Sequence, residues 1–197
     1  TPGTVPNSSL TYLQARAKLL DMACPVDDQM VAVLSPTAEV TIVDALKGLF
    51  QQADKIGEQY SSGTMGRALG MKFNMDQNTQ VHTVGPFGGA PTTTGAQSAS
   101  ATFSGVTGAA GANSIAPFPL VTGGWTAAAA LRVRAGDVFT VPGVFSVNPQ
   151  NRQSTGNLQQ FVVTADASSD GAGAATLQIL PRPIFTGPFQ NVTSASN

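Results

Sequence analysis

The stretch RAGDVFTVPGVFSVNP, residues 134–149, combines tight-turn chemistry with two apolar runs that are typical of β-strands. The sequence AGD at 135–137 predicts a tight turn in which the aspartate accepts backbone hydrogen bonds. The following apolar residues are interrupted by Pro142-Gly143, which predicts a strand, a turn or bend, and a second strand. Arg132 and Arg134 alternate with apolar neighbours, which predicts one polar face on the strand before the turn. This region is therefore expected to enter and bend a small β-barrel.

Downstream of this stretch, the segments LQQFVVTADA (158–167) and GAATLQILPRPIF (173–185) predict further strands. Asp170-Gly171 predicts a hairpin turn between them. Upstream, residues 77–131 contain no Asp, Glu, Lys or Arg. A disordered linker is one interpretation of GPFGGAPTTTGAQS (85–98). Spaced apolar residues favour instead a β domain with long loops, since they can pair in short strands.

The first 80 residues show helical periodicity. LTYLQARAKLLDMA (10–23) predicts a helix capped by Ser9 and ended by Pro25. Its predicted apolar face consists of Leu10, Leu13, Ala17 and Leu20. The apolar run QMVAVL (29–34) predicts a short strand covered on both faces.

A second helix is predicted over TAEVTIVDALKGLFQQA (37–53), with Ser35 as its cap, Pro36 in its first turn and Glu39 near its N-terminus. Its predicted buried stripe consists of Val40, Val43, Leu46 and Phe50. One or two strands are predicted within residues 67–85, where Leu69, Met71, Phe73 and Met75 alternate with more polar neighbours. The first part of the chain is therefore predicted to be α+β.

The composition limits the classes of function. The chain has 197 residues with ten basic and eleven acidic side chains, a net charge of −1, and only 11% charged residues, whereas about 25% is usual. A near-neutral chain is not expected to bind a phosphate backbone or an anionic membrane surface. An uncharged surface suits packing against copies of the same protein. The single cysteine, Cys24, excludes an internal disulfide and favours a reducing origin, and the short apolar runs favour a soluble, unexported protein.

No residue is predicted to be catalytic, to bind a cofactor or to ligate a metal. His82 is the only histidine, and Cys24 has no partner histidine in sight, so both are interpreted as structural. The adjacent Asp27 and Asp28 are interpreted as a solvated loop. DASSDGAG (166–173) lacks the third acidic ligand and the closing glutamate of a calcium loop. The glycine-rich run at 105–113 lacks the Lys-Ser or Lys-Thr of a phosphate-binding loop, and the sequons at Asn7 and Asn191 are interpreted as chance.

Several motifs together resemble a known family. The segment from RAGDVFTV to LPRPIF, residues 134–185, resembles the insertion domain of coat proteins from short-tailed phages of the Salmonella type. QMVAVLSPTAEVTIVDALKGLF (29–50) is similar to the strand, Ser-Pro and helix of the axial domain in the Hong Kong 97-type major capsid fold, and GRALGMKFNMDQN (66–78) resembles the strand that follows. The resemblance extends from about Leu10 to Val192. It implies an α+β fold with a partial Hong Kong 97-like axial domain at 1–82, a β-barrel insertion domain at 83–186 and a return segment at 187–197.

The resemblance implies a structural subunit of an icosahedral phage capsid that assembles with its own copies around packaged DNA, and not an enzyme. It also implies a scaffolding protein and a portal as partners, assembly in the bacterial host cytoplasm and residence in the virion. The N-terminal arm, the spine helix and the C-terminal return of the family have no counterpart here, so the chain is expected to be a central fragment. GVTGAAGANSIAP (105–117) is expected to occupy the position of an inter-subunit loop.

Two other classes of function stay open on the residues alone. A phage adhesin or carbohydrate-binding module would use Trp125 as an exposed stacking platform. A hydrolase would rely on Asp137 and His82.

Overall fold

A computed structural model describes residues 5–27, 29–46, 67–94, 117–185 and 187–192. Contacts divide the chain into two compact units, Thr1–Val81 and His82–Asn197. The described residues form two helices and ten strands. The chain is therefore α+β with more sheet than helix, as predicted.

The first unit packs two helices with a small mixed sheet. Its elements are α1 (Ser9–Asp21), β1 (Val31–Leu34), α2 (Pro36–Leu46), β2 (Arg67–Ala68) and β3 (Met71–Met75). The sheet has the order β1-β3-β2, with β1 parallel to β3 and β2 antiparallel to it. Its buried core consists of Tyr12, Met30, Ile42, Met71 and Phe73.

The first helix begins and faces the core differently from the prediction. Ser8, not Ser9, is the N-cap, and its side chain accepts a hydrogen bond from the Leu10 amide at 3.2 Å. Leu10 and Leu13 are exposed, whereas Tyr12 is buried. The Tyr12 ring packs edge-on against Phe73 at 5.7 Å between centroids. An aromatic partner on the sheet therefore selects a helix face that the leucine spacing alone did not identify.

The second helix starts as predicted. The Ser35 hydroxyl accepts a hydrogen bond from the Ala38 amide at 3.3 Å, and Pro36 is the first helical residue. The predicted stripe is wrong at Val40, which is exposed, while Ile42 is fully buried. Val43 does pack against the core. The side chains of Leu46 and Phe50 lie outside the described residues.

The first strand has one covered face rather than two. Val31 and Val33 are exposed, whereas Ala32 and Leu34 pack against the core of the first unit. In β3, Met71 and Phe73 are buried and Met75 is exposed. Leu69 lies in the turn before β3 with a positive φ of 54°, so it does not belong to the alternating strand pattern.

The regular elements of the second unit are all strands in the described part of the chain. These are β4 (Gly89–Thr93), β5 (Phe118–Trp125), β6 (Ala130–Val133), β7 (Val138–Val147), β8 (Ser154–Val163), β9 (Ala167–Ser169) and β10 (Ala175–Leu180). Five of them form an antiparallel sheet in the order β4-β5-β10-β8-β7, and β6 pairs with β9. Part of the charge-free region is thus strand, because β4 lies within the segment for which a linker was the alternative. Residues 95–116 lie outside the described residues, and they include all of the expected inter-subunit loop at 105–117 except Pro117.

Alternation along the strands builds the core of the second unit. Side chains with odd numbers on β10 face inward, as do Phe161 and Val163 on β8. The buried members of this core are Phe118, Leu120, Trp125, Val133, Val144, Phe161, Val163, Ala167, Ala175, Leu177 and Ile179. Val192, near the end of the described chain, forms an isolated bridge with Val144 and packs against the same core.

The strand that follows the opening turn is bent but continuous. Thr140 is opposite Gln160, whereas Phe145 is opposite Leu158, so β7 holds extra residues between these two pairs. Gly143 lies in this bulge with a φ of +82°, a conformation that glycine adopts without steric cost. The predicted bend is confirmed, but it lies within one strand and does not separate two.

The structure has the predicted turn at Asp170, but the hairpin is wrong, because the strands on either side of the turn do not pair with each other. The Asp170 carboxylate accepts hydrogen bonds from the amides of Ala172 and Ala174 at 2.9 and 2.8 Å. It connects β9 to β10, which belong to different sheets. The turn therefore moves the chain from the small sheet to the large one.

Candidate functional site

His82 and Asp137, the two residues of the hydrolase hypothesis, are in direct contact. His82 Nε2 lies 2.7 Å from Asp137 Oδ1, and the imidazole is 41% exposed while the carboxylate is only 1% exposed. The ring lies against Gly136, where an added Cβ would approach it to 3.1 Å. An Asp-His pair is part of many hydrolytic sites, but it also needs a nucleophile on the second ring nitrogen. Within the described residues, no hydroxyl or thiol is hydrogen-bonded to that nitrogen.

The Asp137 carboxylate also binds the backbone of two chain segments. Its Oδ2 accepts hydrogen bonds from the amides of Arg134 at 2.8 Å and Gly85 at 3.1 Å. Gly85 can approach so closely because it has no side chain, since a Cβ there would lie 2.6 Å from the Arg132 carbonyl oxygen. We call His82, Gly85, Arg134 and Asp137 the Asp137 cluster. It fastens the first residues of the second unit to the turn before β7.

The environment of Asp137 favours its ionised form. Burial acts to raise the pKa of Asp137, but hydrogen bonds from the Arg134 amide, His82 and the Gly85 amide outweigh it, and the net pKa lies below its usual value. The carboxylate is therefore charged under all but acidic conditions. Its charge is satisfied by donors that also fix the backbone.

This lowered pKa predicts acid sensitivity of the second unit. Unfolded chains have an aspartate pKa of about 3.9, so between that value and the lower folded pKa the unfolded state binds more protons. The contribution of Asp137 to stability is fully present above pH ~4 and is lost as the pH falls through the folded pKa. Urea unfolding can be followed by the emission of the single tryptophan. We expect the midpoint urea concentration to decrease when the pH is lowered below ~4. The Asp137→Asn variant is the control, and a gap between wild type and this variant that stays constant from neutral to acidic pH would contradict the prediction.

A second polar cluster is built around Arg132, which is buried with 8% of its surface exposed. Its Nε donates to the Ser169 hydroxyl at 2.8 Å, and its terminal nitrogens donate to the carbonyl oxygens of Phe87 at 3.1 Å, Thr126 at 2.8 Å and Ala128 at 3.3 Å. We call these five residues the Arg132 cluster. The prediction that Arg132 lies on a polar face of its strand is wrong, because the guanidinium turns inward and donates to carbonyl groups of two segments, residue 87 and the loop at 126–128. Arg134 is exposed, as predicted.

Trp125 is an internal residue. It is 5% exposed, and its indole Nε1 donates to the Thr122 hydroxyl at 2.9 Å. That hydroxyl donates in turn to the Ala175 carbonyl oxygen at 2.7 Å, and the Phe87 ring stacks on the indole at 6.2 Å. A stacking platform for sugars requires an exposed ring, so this burial argues against the adhesin hypothesis.

The other sequence candidates have local structural roles. Cys24 is half-buried and packs against the core of the first unit. Asp27 accepts a hydrogen bond from the Gln29 amide at 3.0 Å, while Asp28 lies outside the described residues. Asp166 binds the Ala135 amide at 2.9 Å. In the described part of the chain, no group of three or more His, Cys, Asp or Glu side chains is placed to hold a metal ion.

Asn191, the asparagine of the second sequon, has an internal partner. Its side-chain oxygen accepts a hydrogen bond from the Ile184 amide at 2.8 Å, and the backbone amide of Asn191 donates to the Ile184 carbonyl oxygen at 3.0 Å. Asn7 is exposed.

Neither the Arg132 cluster nor the close approach of Gly85 was predictable from the motifs of the sequence. Arg132 stands in an alternating strand pattern, in which polar residues usually face solvent. Two details pointed elsewhere: the arginine lies beside a long charge-free region, and that region contains Gly85, Gly88 and Gly89 within five residues. A Cβ on Gly88 would lie 2.9 Å from an Arg132 nitrogen, so Gly88 makes room for the guanidinium, whereas Gly85 and Gly89 allow close approach to backbone atoms.

Both clusters use most of their polar atoms to hold the protein's own backbone. The sequence matches the family described as P22 coat protein - gene protein 5 over residues 8–194, and the chain belongs to this family. No curated protein matches the sequence. The family is structural rather than enzymatic.

The chain is thus a structural subunit of a phage capsid, and it assembles with other copies of the coat protein into the shell of the virion. The family agrees with the resemblance that the sequence carries, and the adhesin hypothesis has no support. The helices in the described ranges are all too short or too polar to cross a membrane.

Proposed function

We propose that the first unit is part of a Hong Kong 97-like axial domain and that the second unit is the insertion domain of the same coat subunit. The observation that carries this proposal is the change of architecture at one point of the chain. Before it, β1 is followed by Ser35-Pro36 and α2, and β1 pairs in parallel with the later strand β3. After it, all the regular elements of the described chain are strands.

In this proposal, the insertion domain acts as a folding and stability unit of the subunit. Its two polar clusters support that role. The Asp137 cluster ties residues 82–85 to the turn before β7, and the Arg132 cluster ties residue 87 and the loop at 126–128 to β6 and β9. The entry to the domain is therefore held from two sides, which would keep the domain folded while neighbouring subunits assemble.

The proposal extends to the particle. The full coat protein would form an icosahedral shell around packaged DNA, with a scaffolding protein and a portal as partners during assembly in the host cytoplasm. Weak contacts between identical subunits would accumulate through symmetry. The low charge of the chain, a net −1 for 197 residues, supports dense packing because like subunits repel one another little.

Co-expression of the coat protein containing this sequence with its scaffolding protein tests the proposal. We expect closed, uniform shells by electron microscopy, and a reconstruction in which this chain contributes to the shell floor and to a β domain on its surface. An open sheet or tube in place of closed shells would contradict the icosahedral geometry. A floor without the strand-and-helix arrangement of residues 29–46 would contradict the axial-domain assignment.

A further inference from the structure

The large sheet of the second unit has an apolar face that the described chain leaves exposed. Val138, Val162 and Leu180 are opposite one another across β7, β8 and β10. Phe145 and Leu158 form a second pair on β7 and β8. We call these five residues the outer apolar face.

Strand geometry places the five side chains on the same side of the sheet. Leu158 and Val162 are four residues apart on β8, with the buried Phe161 and Val163 pointing to the other side. Directly opposed residues of an antiparallel pair share a face, which adds Val138 and Phe145. The exposed fractions of Val138, Phe145, Leu158 and Val162 range from 37% to 52%.

The neighbouring strand positions on the same side of the sheet carry no charge. Thr140 and Gln160 form the pair between the two apolar rows, and Gln178 and Thr176 continue the same side of β10. The solvent-facing side of an antiparallel sheet usually carries polar side chains. Here an apolar surface is kept on that side, which is typical of a surface that becomes covered.

We propose that the outer apolar face is a contact surface for a second copy of this coat protein. Two observations select that occupant. Neither copy brings a charge to the contact, so identical surfaces approach without repulsion or the desolvation of unpaired ions. The protein also belongs to a family of coat proteins, whose subunits are packed against their own copies. The inference therefore rests on the family and not on the Hong Kong 97-like domain assignment.

The contact is expected to be weak in isolation. Five partly exposed side chains cannot supply the roughly 800 Å² per partner that a stable protein pair buries. We expect the surface to act in the assembled shell, where many such contacts form together. In solution it should appear as association that is detectable only at high concentration.

Sedimentation of the wild-type chain and of Val162→Lys over a wide concentration range tests the inference. We expect reversible self-association of the wild type at concentrations on the order of 0.1–1 mM, and association at least about tenfold weaker for Val162→Lys, because an ammonium group would be buried in an apolar contact. Thr176→Lys is the matched control. It adds the same charge at an exposed strand position on the same side of the sheet, about 13 Å along β10 from Leu180, and should associate as the wild type does.

Four results would overturn the inference. The wild type could stay monomeric throughout the range, or Val162→Lys could associate as strongly as Thr176→Lys. Val162→Lys could also unfold at a much lower temperature than Thr176→Lys, which would mean that the rest of the polypeptide covers this face. Shell assembly by Val162→Lys distinguishes failure of this inference from failure of the proposed coat function. If this variant has normal stability and forms normal shells, only the proposed contact surface is overturned.

Discussion

Replacement of Asp137 by alanine is expected to lower the free energy of unfolding of the second unit by about 3 kcal/mol. The substitution removes the acceptor for the amides of Gly85 and Arg134 and for the imidazole of His82. An amide left buried without a partner costs about 1–3 kcal/mol. The Gly85 amide is buried and the Arg134 amide is part-buried, so they contribute unequally, while the exposed imidazole regains hydrogen bonds from water.

Urea unfolding followed by tryptophan emission measures this change directly. Trp125 is the only tryptophan of the chain and is buried in the core of the second unit, so its emission reports that unit and not the first. The midpoint should fall in proportion to the lost free energy, with an unchanged slope.

Asp166→Ala is the matched control for this experiment. Asp166 also accepts a backbone hydrogen bond, from Ala135 at 2.9 Å, but its surroundings are exposed. Water replaces the lost acceptor there, so the expected cost is about 1 kcal/mol or less. Asp137→Asn should fall between the two alanine variants, because one amide oxygen can still accept from the backbone. Equal losses for Asp137→Ala and Asp166→Ala would show that the Asp137 cluster does not hold the domain.

The sequence predicts this turn well because its chemistry is local. Aspartate at the end of AGD binds an amide only three residues away, and Asp170 binds amides two and four residues away. Such contacts depend on short-range geometry that residue types encode. The helix start at Ser35-Pro36 and the bend at Pro142-Gly143 were predictable for the same reason.

Contacts between distant segments were not predictable in this way. The choice of Tyr12 over Leu10 and Leu13 as the buried side of α1 depends on Phe73, which is 61 positions later by residue number. Asp137 was expected to cap its own turn, yet it also binds Gly85 and His82, which lie more than 50 residues away. Periodicity assigns residues to faces, but the partner on another element decides which of two plausible faces is buried.

Replacement of Arg132 by methionine is expected to destabilise the second unit by about 2 kcal/mol. The methionine fills a similar apolar volume and removes the cost of burying a charge. It also leaves the carbonyl oxygens of Phe87 and Thr126 without their guanidinium donor. These carbonyl groups are only part-buried, so water regains some of the lost bonds. The net loss is therefore smaller than the sum over all four acceptors.

Arg132→Lys and Arg134→Met complete this experiment. A lysine ammonium cannot span acceptors on separate segments as the planar guanidinium does, so Arg132→Lys should recover only part of the stability. Arg134→Met removes an exposed guanidinium two residues further on and should change the unfolding free energy by less than about 0.5 kcal/mol. Equal stability of Arg132→Met and Arg134→Met would contradict a structural role for the buried arginine.

The native emission of Trp125 gives a second, local measurement on the same variants. Phe87 stacks on the indole, and Arg132 holds the carbonyl group of Phe87 at 3.1 Å. Loss of that bond should loosen the ring over the indole, admit water and shift the emission to longer wavelength before any unfolding. A loss of stability without this emission shift would mean that Arg132 acts through Ser169 and the β6–β9 pair. The unfolding free energy and the native emission together therefore identify which end of the guanidinium supports the fold.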